Sequence, residues 1–165
     1  MIKIVPAAAL ALALAACGEK PAPVEETAAS LSAGLYELSG EVAELTQLDK
    51  RTSATKLKLG DKQSVKACVG GDGTPALELL AEDGDKCEFR DKYVRNGRIS
   101  AQLACTREGV DGQISPMLSG TFKADSFEGE ITTGTYLYDH ANYRLVRKVT
   151  AKRIGDCPPE PAKTA

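Results

Sequence analysis

The chain has 165 residues, with 21 Lys plus Arg against 23 Asp plus Glu and a single His, so its formal charge at pH 7 is −2. So small a charge excludes the basic excess that is typical of nucleic-acid-binding proteins, and we expect no nucleic-acid partner. A hydrophobic content of 42% beside 27% charged residues is typical of a globular protein, and the length accommodates one domain.

The first residues have the pattern of an export signal. A basic start at Lys3 precedes an uncharged stretch rich in Ala and Leu over residues 4–16, which is shorter than the ~20 apolar residues that span a bilayer. This pattern predicts a lipoprotein signal peptide over residues 1–16. The sequence Leu14-Ala15-Ala16-Cys17 resembles a bacterial lipobox, so we predict acylation of Cys17. The alternative is an ordinary secretory signal.

The residues after the predicted anchor set the expected location and the domain boundaries. By resemblance to lipoprotein sorting, Gly18 favours the periplasmic face of the outer membrane, with a soluble periplasmic protein as the alternative. Residues 17–33 contain several Pro and Ala and predict a lipidated Cys followed by a flexible tether. We expect a β domain over residues 34–157 and a disordered tail over residues 158–165.

Four cysteines follow the predicted anchor, and in an exported chain an even set indicates two disulfides. The spacings are wide, Cys-x-x-Cys is absent and there is one His, so we predict neither a metal site nor a cofactor. Three pairings are open at this point.

Asn96-Gly97 predicts a hairpin turn, which offers a test of the pairing. With a three-residue loop ending at Gly97, Val94 faces Arg98, Phe89 faces Leu103 and Cys87 faces Cys105. A two-residue turn would instead put Cys87 opposite Thr106. The first register favours the pairs Cys87–Cys105 and Cys68–Cys157; the alternative is Cys68–Cys87 with Cys105–Cys157.

Hydrophobic alternation with a period of two residues runs through the rest of the chain. It predicts an all-β domain, an antiparallel meander of about eight short strands that forms a barrel or a sandwich. Lys56–Leu59, 127–131 and 135–138 are among the expected strands. Pro75–Ala81 predicts the one short helix.

The cysteine pattern and the two ends of this domain resemble a known family. The start Gly34-Leu35-Tyr36-Glu37, the four cysteines and the close Arg153-Ile154-Gly155-Asp156-Cys157-Pro158 are similar to the proteobacterial domain of unknown function 3617. The resemblance implies an exported and often lipidated protein. It implies no catalytic residue, because the family has no assigned activity.

Candidate chemistry is sparse. His140 lies in the predicted turn Asp139–Asn142 with no nucleophile signature, so we expect an exposed loop histidine. Gly70–Gly73 lacks the Lys-Ser/Thr of a phosphate loop. Glu82–Asp85 predicts a solvated acidic turn, with weak Ca²⁺ binding as the alternative.

Three further features suggest surfaces. Tyr136, Tyr138 and Tyr143 meet around the last predicted hairpin, either as a binding surface or as a cross-strand pair of Tyr138 with Tyr143. Asp91 lies on the otherwise apolar face of the Cys87 hairpin, in a pocket or at an exposed end. A basic stretch on the last strand predicts a solvated or charge-guarded edge, with contact to anionic lipid or peptidoglycan as the alternative; it comprises Arg147, Lys148, Lys152 and Arg153.

Together these features predict a non-enzymatic, membrane-anchored lipoprotein that binds a partner or maintains the envelope. The alternative is a carrier of an apolar small ligand, or an inhibitor of an envelope hydrolase such as lysozyme. A hydrolase would need two carboxylates, or His140 and a Ser, in one cleft. The expected partners are the membrane, through Cys17, and an envelope protein or small ligand; the sequence predicts no oligomeric state.

Overall fold

The computed structural model describes residues 28–159. The predicted signal peptide, the anchor Cys17 and the end of the tail lie outside the described residues. Seven strands and one short helix follow in the order β1 (Gly34–Gln47), β2 (Lys62–Val69), α1 (Leu77–Leu80), β3 (Asp85–Arg95), β4 (Arg98–Arg107), β5 (Val110–Lys123), β6 (Ser126–Leu137) and β7 (Tyr143–Gly155).

The strands form one antiparallel sheet in the order β2-β1-β7-β6-β5-β4-β3, curled into a half-barrel. Consecutive strands are neighbours in the sheet except β2 and β3, and β1 also pairs with β7, so the sheet is open between its edge strands β2 and β3. Helix α1 contacts both strands across this opening. The all-β prediction is confirmed, with a partly closed barrel in place of a complete one.

The structure has seven strands where the sequence predicts about eight. Lys56–Leu59 is not a strand, because these residues lead into the turn at Gly60 and pair with no neighbour. The segments 127–131 and 135–138 belong to a single strand, since residues between them stay paired with both β5 and β7.

The turn between β3 and β4 differs from the predicted one, but the predicted pair of Cys87 with Cys105 is formed. Asn96 and Gly97 both have positive φ, 53° and 70°, which is a two-residue turn. Val94 therefore faces Ile99, and the predicted contact of Val94 with Arg98 is wrong. A bulge at Arg90 then adds one residue to β3 and shifts the register.

Beyond that bulge the register is the one that the three-residue loop would have produced. Phe89 faces Leu103, and Cys87 faces Cys105. The bulge also explains the position of Asp91, which is exposed rather than inside a pocket.

Two disulfides link strands of the half-barrel, one between neighbouring strands and one across an intervening strand. Cys87–Cys105 links β3 to β4 with 4.1 Å between the Cα atoms. Cys68–Cys157 links β2 to the segment after β7, with 5.8 Å between the Cα atoms and β1 lying between the two strands. These are the pairs that the register argument favours.

The concave side of the sheet holds the apolar core. Alternate residues of β1, β4, β5, β6 and β7 point inward, and the largest fully buried side chains are Tyr36, Tyr143, Leu31, Leu38, Leu79, Leu80, Ile99, Ile114, Leu118, Ile131, Leu145 and Val42. Gly120 faces Gly129 between β5 and β6, where a Cβ atom on either would collide with the opposite backbone. This pair lets the two strands approach closely where the sheet curls.

The folded region begins upstream of the predicted boundary at Gly34. Leu31 is 2% exposed, because it packs into the core. The Ser32 N–H donates to the Ala124 carbonyl at 2.7 Å, and the Gly97 N–H donates to the Ala28 carbonyl at 3.2 Å. Residues 28–33 are thus part of the domain and not of the tether.

The two disulfides should contribute unequally to stability. They close loops with sequence separations of 89 and 18 residues, for which chain entropy predicts about 4.5 and about 3 kcal/mol. We expect the double variant Cys68→Ala/Cys157→Ala to lose more unfolding free energy in urea than Cys87→Ala/Cys105→Ala. An equal loss, or the reverse order, would contradict this account.

Candidate functional site

The strongest cluster of ionisable side chains lies inside the half-barrel, beside the opening between β2 and β3. The sequence predicts that Glu82–Asp85 is a solvated turn. That prediction is wrong for Glu82 and Asp85, the two residues at the ends of the turn. The Glu82 side chain is 4% exposed and the Asp85 side chain is fully buried. They turn inward because Arg107, on β4, faces Asp85 in the β3–β4 register.

Arg107 holds this cluster together. Its Nε donates to Asp85 Oδ1 at 2.7 Å, and its Nη1 donates to the Ala54 carbonyl at 2.7 Å. Its Nη2 lies 3.3 Å from Glu82 Oε2. Glu82 also accepts hydrogen bonds from the Tyr143 hydroxyl at 3.0 Å and from Thr55 Oγ1 at 2.6 Å.

A second buried arginine fixes the helix to the sheet. Arg147, on β7, is 3% exposed and donates to the carbonyl oxygens of Leu80 and Ala81 at the end of α1. It also donates to Gln63 Oε1 on β2 at 3.2 Å. Arg147 therefore ties the interior strand β7 to helix α1 and to the edge strand β2.

The sequence predicts that the basic stretch on the last strand lies at an edge of the sheet. That prediction is wrong, because β7 is an interior strand between β1 and β6. Arg147 points into the core, whereas Lys148 and Lys152 are exposed on the outer face. Arg153 donates to the Ala33 carbonyl at 2.9 Å and pairs with Asp156. The charge-guarded edge of this sheet is β3, with the exposed side chains Lys86, Glu88, Arg90, Asp91 and Lys92.

We call Glu82, Asp85, Arg107, Tyr143 and Arg147 the inner cluster. Burial has the largest effect on the pKa values of three of its groups. It raises the pKa of Asp85 even though the Arg107 guanidinium acts in the opposite direction. It also raises the pKa of the Tyr143 hydroxyl, and the neighbouring Glu82 carboxylate adds to that increase. Burial lowers the pKa of Arg147, while Glu82 and Asp85 favour its charged form.

The chemistry of this cluster is that of a structural brace. Two carboxylates face the Arg107 guanidinium, and both Glu82 oxygens already accept a hydrogen bond from a hydroxyl. A general base would need a free lone pair directed at a substrate, and Glu82 has its lone pairs engaged in the interior. The arrangement instead closes the open side of the half-barrel with paired charges.

The predicted surface of three tyrosines is divided between two sides of the sheet. Tyr136 and Tyr138 are 66% and 63% exposed, and their rings pack edge to face with centroids 5.3 Å apart. Tyr143 is 1% exposed and belongs to the inner cluster. The predicted pair of Tyr138 with Tyr143 is wrong, because Tyr143 lies next to Thr135, whose Oγ1 accepts from its N–H at 2.8 Å.

Contacts from the loop after β1 hold the backbone at Tyr138 in place. Arg51 Nη1 donates to the Tyr138 carbonyl at 2.6 Å, and its Nη2 pairs with Asp49 Oδ2 at 2.8 Å. The Asp49 carboxylate also accepts from the Asn142 N–H at 3.0 Å. These contacts fix the loop after β1 against the loop after β6, so the aromatic pair is held in a defined orientation.

The remaining candidates are local features of loops. His140 lies with its Nδ1 2.9 Å from Asp139 Oδ1 in the loop after β6. In Gly70–Gly73, Asp72 accepts from the Thr74 N–H at 3.0 Å and pairs with Lys92 at 3.0 Å, which stabilises a turn.

Two clefts of the described structure lie on its outer surface. One, of about 840 Å³, crosses the middle of the sheet, and Glu41, Lys62 and Lys148 are among the residues that line it. The other, of about 1170 Å³, lies beside Ala28 and the Asn96-Gly97 turn. Core side chains occupy the concave side of the sheet.

Comparison with known families agrees with this architecture. The family model described as "Protein of unknown function (DUF3617)" matches residues 31–157. The chain belongs to this family. The match begins at Leu31, which the core buries, and ends at Cys157, which the second disulfide fixes. Searches among curated proteins and among solved structures found no match. Among the described residues, no helix has the length and apolarity to cross a membrane.

Sequence reasoning missed the inner cluster although its signal was present. The same register that pairs Cys87 with Cys105 also places Asp85 opposite Arg107. Two residues of opposite charge facing each other next to a disulfide indicate a shared environment. The contribution of Arg147 has no such local signal, because its partners are backbone carbonyls distant in sequence.

Removal of the Arg107 guanidinium should lower the free energy of unfolding. Arg107→Ala leaves Glu82 and Asp85 buried without a guanidinium, so we expect a loss of about 3–5 kcal/mol of unfolding free energy. The matched control is Arg144→Ala, because Arg144 pairs with Glu44 at the exposed surface, where a pair contributes about 0–1 kcal/mol. Urea unfolding measures both. A loss for Arg107→Ala no larger than for the control would refute the brace.

Two aspartates should titrate in opposite directions from their ordinary pKa. Hydrogen bonds from Thr74, with that from Lys92, lower the pKa of Asp72 to about 2, whereas burial raises the pKa of Asp85. The stabilisation from Asp72 is present above its ordinary pKa and is lost as the pH falls towards 2. That from Asp85 is present in acid and is lost as the pH rises through its folded pKa. Carboxyl ¹³C NMR should show Asp85 titrating well above Asp72; the opposite order would contradict the structure.

Proposed function

We propose that this protein is an exported lipoprotein, anchored through Cys17 at the periplasmic face of the outer membrane, that binds an envelope partner without catalysis of its own. The observation that carries this proposal is the use of the cysteines. The four cysteines of the domain are paired with one another, which leaves Cys17 as the remaining thiol of the five.

The disulfides favour an exported protein, and the position of Cys17 favours an anchor at the membrane. Structural disulfides persist in oxidising compartments and are rare in the cytosol. An exported protein with an unmatched cysteine directly after a signal sequence has a specific use for that thiol, because acylation gives stable attachment to a membrane surface. Cys17 stands at that position, after Leu14-Ala15-Ala16.

The described surface favours binding over catalysis. The clustered ionisable groups are buried and engaged with one another. Tyr136 and Tyr138 instead present aromatic area on a rigid support. Tyrosine is enriched at the energetically important centres of protein interfaces. The pair lies at the end of β6 that is opposite to the turn beside Ala28, so it faces away from the anchored end of the chain.

The anchor is tested in the host by metabolic labelling with palmitate followed by membrane fractionation. We expect the wild-type chain to be labelled and to sediment with the outer membrane, whereas Cys17→Ser should be unlabelled and should not sediment with the outer membrane. A wild-type chain that is unlabelled and soluble would remove the anchoring half of the proposal.

The binding surface is tested by crosslinking in intact envelopes. Tyr136→Ala/Tyr138→Ala should reduce the yield of crosslinked partner by about tenfold or more, because interface tyrosines carry much of the binding energy. Tyr93→Ala is the control, since Tyr93 is also exposed, at 45%, but lies on β3. If both variants retain the wild-type crosslinks, the tyrosine pair is not the binding surface.

A further inference from the structure

The chain leaves the described domain at one end of the half-barrel. Ala28 accepts a hydrogen bond from Gly97, in the turn between β3 and β4. Ala124, in the turn between β5 and β6, accepts from Ser32. Cys157 lies at the same end, because β7 runs towards it from Tyr143. Any tether to Cys17 therefore begins beside these two turns.

The length of the tether limits which end of the domain can face the membrane. Eleven residue steps separate Cys17 from Ala28, and eleven fully extended residues span at most about 40 Å. The 14-residue strand β5 is about 46 Å long. The tether is thus shorter than the longest strands, and the end with Ala28 is the one that it holds at the membrane.

That end carries two arginines that have no partner of opposite charge within the described part of the chain. Arg95 and Arg98 face each other directly across the Asn96-Gly97 turn, and both are exposed. Neither forms an ion pair with any residue from 28 to 159. Like charges that face each other across two strands destabilise a hairpin, so an anion bound between them would relieve a repulsion that the fold leaves uncompensated.

The cleft beside the turn extends this basic surface. Arg98 pairs with Thr121 in the sheet, and Thr121 lines the cleft of about 1170 Å³. Lys152 and the apolar side chains of Phe122 and Phe127 line it as well. Acidic side chains at this end, among residues 28–159, include Glu128, which also lines the cleft, Asp125, and Asp156, which is already paired with Arg153.

We propose that Arg95 and Arg98, together with Lys152, dock the domain onto anionic phospholipid headgroups of the membrane that carries its anchor. The inference rests on the proposed lipid anchor, which places this end at the membrane. Each basic side chain near an anionic leaflet adds attraction that salt screens. The contact fixes the orientation of the domain, so that Tyr136 and Tyr138 point away from the lipid.

The test uses the full mature chain with Cys17→Ser, so that docking is measured without acylation and independently of it. Binding to vesicles of phosphatidylcholine alone is compared with binding to vesicles that also contain phosphatidylglycerol. We expect binding only to the anionic vesicles, weakened by salt. Arg95→Glu/Arg98→Glu should weaken it by on the order of thirtyfold or more.

A matched control separates a specific surface from general charge. Lys50→Glu/Lys56→Glu makes the same change of charge at exposed positions of the loop after β1, at the other end of the sheet, and should leave binding within about twofold of the parent. An equal loss in both double variants would overturn the proposal, and so would failure of the parent to bind anionic vesicles at low salt. Neither result depends on whether Cys17 is acylated in cells, which the labelling experiment decides separately.

Discussion

The opening between β2 and β3 is the constraint on which the rest of this structure depends. An open antiparallel sheet with an apolar concave face needs something to cover that face, and here one four-residue helix does so. So short a helix has little stability of its own. It stays in place because Arg147 binds its last carbonyls from the sheet and because Leu79 and Leu80 are buried.

The same opening explains where the charges and the bridges lie. Glu82, Asp85 and Arg107 follow the helix and fill the side that the sheet leaves uncovered. Cys68–Cys157 fixes one free-edge strand, and Cys87–Cys105 fixes the other. The two edge strands are thus held by disulfides, and helix α1 is held by hydrogen bonds from Arg147.

The sequence predicted the β class, the Cys87–Cys105 pair and the last hairpin, because each rests on local patterns: alternation, a turn dipeptide and the distance from that turn. The pair Cys68–Cys157 was then the one left over. The two-residue turn was missed, because the bulge at Arg90 restores the same cysteine register and leaves no mark in the alternation. The burial of Glu82 was missed because its partners Thr55 and Tyr143 come from distant segments. Charge patterns along one strand likewise do not reveal that β7 is interior, since that depends on its pairing with β1.

The molecule has two ends with different chemistry. One carries Ala28 and the exposed Arg95 and Arg98; the other carries the exposed Tyr136 and Tyr138. A rigid, disulfide-bonded sheet between them would hold a binding surface at a set distance from a membrane. The oxidation state of the cysteines bears on both the fold and the proposed function, because the bridges secure the open sheet and the proposed export rests on them.

Peptide mass spectrometry of the protein from its native host, digested without reduction, tests that point most directly. The account predicts a diacylated peptide beginning at Cys17 and two crosslinked peptides, one joining Cys68 to Cys157 and one joining Cys87 to Cys105. Recovery of those four cysteines as free thiols, with an unmodified Cys17, would contradict it.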